Sequence, residues 1–380
     1  DQNIVQTLQF HCENGSGTIP RHKRQNTRYS VHGLHEYKGK FNPQVVRSLF
    51  NIYNIHKGDK VLDPFCGSGT TLVEAAHDNI TANGTDINPL AVFIANTKIR
   101  ALNLSFNEVI QSKGQFFRKY SSIKIKLKLN DEDPRIQYLK RWFPEATLIE
   151  IEALRLSAYE LEESMKNLFL VIISNTLREF SFQEPLDLRI RRRTTPLPTT
   201  KILNQVSDSI DAFAENIKEF HTAFMPLKSK NKAHHIDIKL SQQDTAFKKD
   251  NSFDFAITSP PYATALPYID TQRLSLVWLN LISAKEIRPL ESDLIGSREF
   301  KMKSEQLNWQ QNLLENKHSL PNEIHSFCIH LHSKLKPSEG FRKIALPSLL
   351  YRYFYDMKLA FVEVHRLLKE EKYFCLIVGH

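Results

Sequence analysis

The sequence predicts an α/β protein, a doubly wound parallel sheet interrupted by a mostly helical insert. Three observations predict it. Residues 44–104 alternate helix, strand, helix, strand, helix in their apolar spacing, the first half of such a sheet. The pattern resumes near residue 235 and reaches an apolar strand ending at Thr258. Between the two, residues 105–234 are too long for a loop and carry apolar residues at three- and four-residue spacing.

In chain order, a helix runs to about Ile55, and Val61 and Leu62 open a short strand followed by a glycine turn and a helix. A second strand ends near Asp86, and Pro89 starts the next helix. The insert reads as helices over 146–164, 166–180 and 200–224, broken by the Arg189–Thr200 link with its two prolines. After the alternation Ile236 to Leu240 and the strand at 254–258, residues 269–280 form an amphipathic helix. Residues 283–345 are polar, charged and expected to be loop-rich, a segment suited to clamping substrate. A helix over 351–368 leads to a strand over 373–378. The organisation is therefore 1–104, then the insert 105–234, then 235–380.

Asp63-Pro64-Phe65-Cys66-Gly67-Ser68-Gly69-Thr70-Thr71 lies at a strand-to-helix turn, where α/β proteins receive nucleotide-like ligands. Gly67 and Gly69 let backbone approach a ligand, and the helix amino end offers unpaired N–H groups. A phosphate loop needs Gly-Lys-Ser/Thr where the chain has Gly69-Thr70-Thr71, and a dinucleotide fingerprint needs glycine where it has Leu72. Both are disfavoured. Asp86 with Ile87 follows at the end of the next strand, placed to bind ribose hydroxyls or to cap the helix at Pro89.

Thr258-Ser259-Pro260-Pro261-Tyr262 ends a hydrophobic strand in a rigid loop. Consecutive prolines fix φ and donate no backbone hydrogen bond. The loop is either an ordinary Pro-Pro turn or a grip for a flat base, with Ser259 and the Pro260 carbonyl taking amine protons and Tyr262 stacking.

Together these motifs resemble the S-adenosylmethionine-dependent amino-methyltransferases, and among them the DNA enzymes that modify exocyclic amines. The resemblance implies a Rossmann-like methyltransferase fold, S-adenosylmethionine as cofactor, and duplex DNA with a flipped base as substrate. Serine before Pro-Pro-Tyr is similar to the cytosine-N4 branch, where adenine-N6 enzymes usually carry aspartate or asparagine. By the same resemblance, Tyr37, Lys40 and Phe41 belong to a segment closing over the cofactor's methionine part, with Lys40 meeting its carboxylate. Asp244 sits where the family places an acid against the adenine amine, and a turn aspartate is the competing role. The sheet of that family ordinarily gains two more strands, so the last strands are expected outside this sequence or supplied by something else. The absence of an initial methionine points the same way.

Lys and Arg number 51 against 42 Asp and Glu, a net charge of +9 that suits a polyanionic partner. The excess clusters at Arg21, His22, Lys23, Arg24 and Arg28, at Arg189, Arg191, Arg192 and Arg193, and at Lys228, Lys230 and Lys232. The second cluster is expected to reach DNA from the insert. Four cysteines, Cys12, Cys66, Cys328 and Cys375, show no metal spacing and are too few for a disulfide framework. His325, His330 and His332 lack a compact ligand set. With no apolar run long enough for a bilayer and no signal pattern, a cytoplasmic protein without membrane contact is expected. A restriction or defence system, with its partner subunits, is the setting implied. Adenine-N6 methylation, RNA methylation and a non-catalytic nucleic-acid-binding subunit are the rival readings.

Overall fold

A computed structural model describes residues 27–378 apart from 38, 41, 188–189, 224–228, 265–267, 299 and 337. Phe41, Arg189, Cys12, Lys228 and the residues 21–24 of the first basic cluster lie outside the described residues.

Five parallel strands form the sheet: β1 (Lys60–Asp63), β2 (Thr81–Asp86), β3 (Lys232–His235), β4 (Phe253–Thr258) and β5 (Leu368–Leu376), in the order β3-β2-β1-β4-β5. The chain thus winds outward from β1 to β3 and returns to build β4 and β5 on the other side. This reversal creates a switch point between β1 and β4. All six residues of β4 are buried, as in a strand covered on both faces.

Asn42 caps α1 (Pro43–Ile52) through the Gln44 amide, and Asn88 caps α3 (Pro89–Ala101) through Leu90, each followed by proline at the first helical position. Between them α2 (Thr70–His77) follows the glycine turn. The insert opens with α4 (Phe106–Lys126), set by a Ser105/Glu108 capping box, and continues through α5 (Pro134–Lys140), α6 (Glu145–Tyr159), α7 (Glu163–Thr176) and α8 (Ile202–Ala223). Its buried residues, including Phe116, Leu154, Phe169 and Ile210, are continuous with the sheet residues Val61 and Phe255 in one core. The insert is helical as expected, yet it shares the core of the sheet.

Three segments differ from their sequence pattern, and two of them correct an expectation. The alternation Ile236 to Leu240 is not a strand: β3 lies just before it, and residues Ile238–Gln243 turn in a 3₁₀ conformation begun by the Asp237 side chain. Residues 283–345 are largely helical, with α9 (Tyr268–Trp278) followed by α10 (Ile287–Asp293), α11 (Lys303–Leu314) and α12 (Asn322–Ser333). Polar faces masked these helices, because their few apolar residues pack locally: Leu313, Leu320, Cys328 and Tyr351 form a separate small core. Finally, α13 (Phe341–Leu367) starts ten residues earlier than expected, and β5 begins directly at Leu368. No helix among the described residues is long and apolar enough to cross a membrane.

Candidate active site

The switch point holds an 840 Å³ cleft, counting its solvent-open mouth. Such crevices beyond the carboxyl ends of parallel strands are where open α/β sheets bind ligands. One wall carries Tyr37, Pro64, Phe65, Gly67, Asp86 and Ile87, and the opposite one Ser259, Pro260, Pro261 and Tyr262. Two motifs almost two hundred residues apart in sequence therefore face one cavity.

Asp63, at the end of β1, joins the two walls. Its carboxylate accepts from the Thr71 hydroxyl at 2.5 Å, the Thr258 hydroxyl at 2.7 Å and the Phe65 amide at 3.2 Å. Burial raises its pKa to about 6, while these three donors pull it back toward the ionised form. Asp63 is committed to the fold, as are Thr71 and the buried Thr70.

The glycine turn is built by backbone. Gly67 (φ +49°) and Gly69 (φ +82°) occupy left-handed conformations. The Gly67 amide donates to Asp86 at 3.0 Å, and the Thr85 hydroxyl donates to the Pro64 carbonyl at 2.7 Å. A Cβ on Gly69 would stand 2.8 Å from the Ala95 methyl, so its second role is close packing of the turn on α3. Over the turn lies Tyr37, whose ring edge is 3.4 Å from where a Gly67 Cβ would be and whose hydroxyl accepts from Asn88. Asp86 is half-buried and accepts from both Gly67 and Asn88, with its pKa raised to about 6 by burial.

The double-proline loop is braced from behind by residues that sequence reasoning missed. The Tyr353 hydroxyl of α13 donates to the Pro261 carbonyl at 3.1 Å. Thr264 donates its amide to the Gly296 carbonyl at 2.8 Å, and Gly296 (φ +80°) runs so close that a Cβ there would lie 2.4 Å from the Tyr262 carbonyl oxygen. Among the described residues none donates to the Pro260 carbonyl. The Tyr262 side of the loop is 38% exposed at the cleft mouth.

Other predicted residues lie elsewhere. Lys40 donates to the His32 carbonyl at 3.0 Å and does not line the cleft, although its neighbour Gly39 does. Asp244 caps a turn through the Ala246 amide and pairs with His234 at 2.9 Å, away from the cavity wall. The acid at that wall is Asp237, with Ile236 and Ile238 beside it. Asp293, Leu294 and Ile295 complete the lining, from the segment expected to clamp substrate. Asn88 also lines the cleft; its place in the Asp86-Ile87-Asn88-Pro89 run was the available signal, read only as a helix start.

The arginine link is less free than expected. Arg192 donates to the Arg141 carbonyl and stacks over Phe182 and Trp142, and Arg193 donates to the Glu179 and Ser181 carbonyls. Arg191, two-thirds exposed, pairs with Asp187 at 4.0 Å. Cys66 is buried in the turn, and that burial pushes its thiol well above the usual range, unlike an activated nucleophile.

His32, Glu74 and His77 form a buried cluster that spacing did not reveal. Its ligand atoms lie close enough for a metal ion, but Arg47 already places a guanidinium 2.8 Å from Glu74, and His32 and the Tyr29 hydroxyl bind its other oxygen at 2.6 and 2.7 Å. Ionised Glu74 is held well below the usual carboxylate range by these partners despite its burial. The cluster fastens the segment bearing Tyr37 onto α2.

A doubly wound parallel sheet with a glycine turn and a double-proline hook at its switch point is a Rossmann-like methyltransferase fold. A family model described as DNA methylase matches residues 15–97. The chain is 26% identical over 299 residues to the type II methyltransferase M.MvaI of Kocuria varians, covering 72% of this chain and 63% of that protein. It is 27% identical over 316 residues to the type II methyltransferase M.BsoBI of Geobacillus stearothermophilus, covering 74% and 59%. Against the type II methyltransferase M.AvaI of Anabaena variabilis it is 24% identical over 362 residues, covering 88% and 71%. The chain thus spans about three-fifths of the length of the first two relatives. No solved structure matches it significantly. These sequence matches support the resemblance that the motifs carry to the S-adenosylmethionine-dependent DNA amino-methyltransferases.

Proposed function

We propose that the protein transfers a methyl group from S-adenosylmethionine to the exocyclic N4 amine of a cytosine flipped out of duplex DNA. The observation that carries this reading is the shared cleft: Gly67 and Asp86 on one wall, Ser259 to Tyr262 on the other. Its lining fits the cofactor. Phe65, Ile87, Ile236 and Ile238 offer apolar faces to a flat ring, and half-buried Asp86 offers a carboxylate to ribose hydroxyls. The cofactor supplies an electrophilic sulfonium methyl.

The cytosine amine is a poor nucleophile because its lone pair is delocalised into the ring. Ser259 and the Pro260 carbonyl, which is without a donor among the described residues, accept hydrogen bonds from its two N–H groups and favour a tetrahedral nitrogen. Tyr262, at the cleft mouth, replaces the stacking that the base loses on leaving the duplex. The surplus amine proton leaves after transfer by way of Ser259 or water. Serine before Pro-Pro-Tyr favours cytosine over adenine, since the aspartate or asparagine usual in the adenine branch is not there. Arg191, with Arg189, would contribute phosphate contacts. The type II relatives favour a restriction-modification setting, with a cytoplasmic location.

Transfer of labelled methyl groups to duplex DNA, compared between wild type and Ser259→Ala, tests the reading. Label that depends on Ser259 is expected, and none with any DNA would overturn it.

A further inference from the structure

Among the described residues three carboxylates line the cleft, those of Asp86, Asp237 and Asp293. Two are already engaged by backbone amides. Asp86 accepts from Gly67 and Asn88, and Asp237 accepts from the Lys239 amide at 3.0 Å and pairs with its ammonium at 3.3 Å. Asp293 differs: it is the last residue of α10, its side chain is 47% exposed, and its ion-pair partner is the similarly exposed Lys301 at 2.6 Å. Little in the fold asks for an acid there. A carboxylate at a helix carboxyl end opposes the helix dipole, and an exposed ion pair contributes about 0–1 kcal/mol.

The segment that carries Asp293 is fixed to the double-proline loop. The Thr264 amide donates to the Gly296 carbonyl at 2.8 Å, and Gly296 runs against the Tyr262 carbonyl. Two successive residues of α13 hold the pieces from behind, Arg352 donating to the Ser297 carbonyl at 2.9 Å and Tyr353 to the Pro261 carbonyl at 3.1 Å. Arg352 is buried, with its guanidinium 4.7 Å from the centre of the Phe300 ring. Asp293 therefore reaches the cleft on a strap braced against the loop of Ser259 to Tyr262, whereas Asp86 and Asp237 reach it from β2 and from the turn after β3.

We infer that Asp293 is the acid of the acceptor site, its carboxylate stabilising the positive charge that reaches the base amine during methyl transfer. This rests on the reading that the cleft methylates an exocyclic amine. In that reaction the amine lone pair forms an N–C bond to the sulfonium methyl group while the C–S bond breaks. The electron pair of the broken bond stays on sulfur, which becomes a neutral thioether. Positive charge thus moves from sulfur to nitrogen and then leaves as a proton to solvent. A carboxylate on the nitrogen side favours the transition state over the ground state, in which the charge is still on sulfur. Ser259 is neutral and the Pro260 carbonyl is a dipole, so the loop itself sets no formal charge against the nitrogen. Lys301 does not cancel the effect, because a pair this exposed to water opens at little cost.

Single-turnover transfer of labelled methyl groups from S-adenosylmethionine to duplex DNA, both saturating, tests the inference, with thermal midpoints to confirm folding. Asp293→Asn keeps the shape and removes the charge, and is expected to slow transfer by about 10- to 100-fold while Kd for each ligand stays within about twofold of wild type. Asp293→Glu should recover most of the rate. Lys301→Gln breaks the ion pair but leaves the carboxylate, and should transfer within about threefold of wild type. Transfer at the wild-type rate by Asp293→Asn would overturn the inference. So would a loss confined to Kd, an equal loss in Lys301→Gln, which would mark the pair as structural, or an Asp293→Glu variant as slow as Asp293→Asn. Wild type that binds both ligands and transfers nothing would overturn the methylation reading and this inference with it, a result distinct from all of these.

Discussion

Thr258 donates its hydroxyl hydrogen bond to Asp63 at 2.7 Å, linking the last residue of β4 to the last residue of β1 across the switch point. The glycine turn begins one residue after Asp63 and the Ser-Pro-Pro-Tyr loop one residue after Thr258. One buried carboxylate thus sets the spacing between the two walls of the cleft, and its burial leaves little room for any other arrangement. Removing it should cost stability rather than a ligand contact: Asp63→Ala leaves the Thr71 and Thr258 hydroxyls unpaired, at about 1–3 kcal/mol each. Thr258→Val removes one bond and should cost about 1–2 kcal/mol. Urea unfolding midpoints check both.

If Ser259 positions the acceptor amine as proposed, Ser259→Ala should lower kcat by about 10²-fold or more, with cofactor affinity within about twofold of wild type, because the cofactor motif contributes a different part of the lining. Tyr262→Ala should mainly weaken binding of DNA carrying an unpaired target, by about 1–3 kcal/mol for lost base stacking. Steady-state kinetics and fluorescence anisotropy separate the two effects.

Asp86 has its pKa raised to about 6 by burial, so cofactor affinity should depend on pH there. Ribose hydroxyls need the ionised carboxylate as acceptor. As pH falls below about 6 the free protein protonates Asp86, and affinity should drop by up to about tenfold per unit. The step should be missing in Asp86→Asn. A flat profile between pH 7 and 5 in wild type would remove Asp86 from the ribose site.

The bracing behind the catalytic loop is open to direct test. Tyr353→Phe deletes the bond to the Pro261 carbonyl and should cost about 1 kcal/mol of stability together with a loss of kcat. Gly296→Ala forces a methyl group against the Tyr262 carbonyl at a backbone angle unfavourable to alanine, and should be the more damaging. Comparing kcat with thermal midpoints shows whether the loop or the whole fold is disturbed.

Glu74 should prove to be a structural anchor. Glu74→Ala leaves buried His32 and the Tyr29 hydroxyl without their acceptor and partly exposed Arg47 without its counter-ion, with an expected cost of about 1–3 kcal/mol for each buried group left unpaired. Added chelator should leave wild-type stability unchanged, since the guanidinium already balances the carboxylate.

Much of this was legible in the chain. The alternation of helix and strand over 44–104 and the buried run of β4 give the sheet, and the glycines and prolines that punctuate them give the walls of the cleft. What stayed hidden was set by tertiary contact. Ile236 and Ile238 alternate like a strand, yet Asp237 caps a turn between them and places all three at the cavity. The polar helices of 283–345 hide their apolar residues in a small core of their own, so Gly296 and Tyr353 carry no local sign of touching Pro261 or Tyr262. Arg192 and Arg193 belong to a charge run expected to reach DNA, and no local sign shows that their guanidinium groups donate to carbonyls of the insert.

The central claim is that the cleft methylates the N4 amine of cytosine. Duplex DNA incubated with the protein and S-adenosylmethionine, then digested to nucleosides and resolved by mass spectrometry, tests it most directly. N4-methylcytosine that disappears with Ser259→Ala is the predicted result; N6-methyladenine in its place, or unmodified DNA from a protein that binds the cofactor, would contradict it.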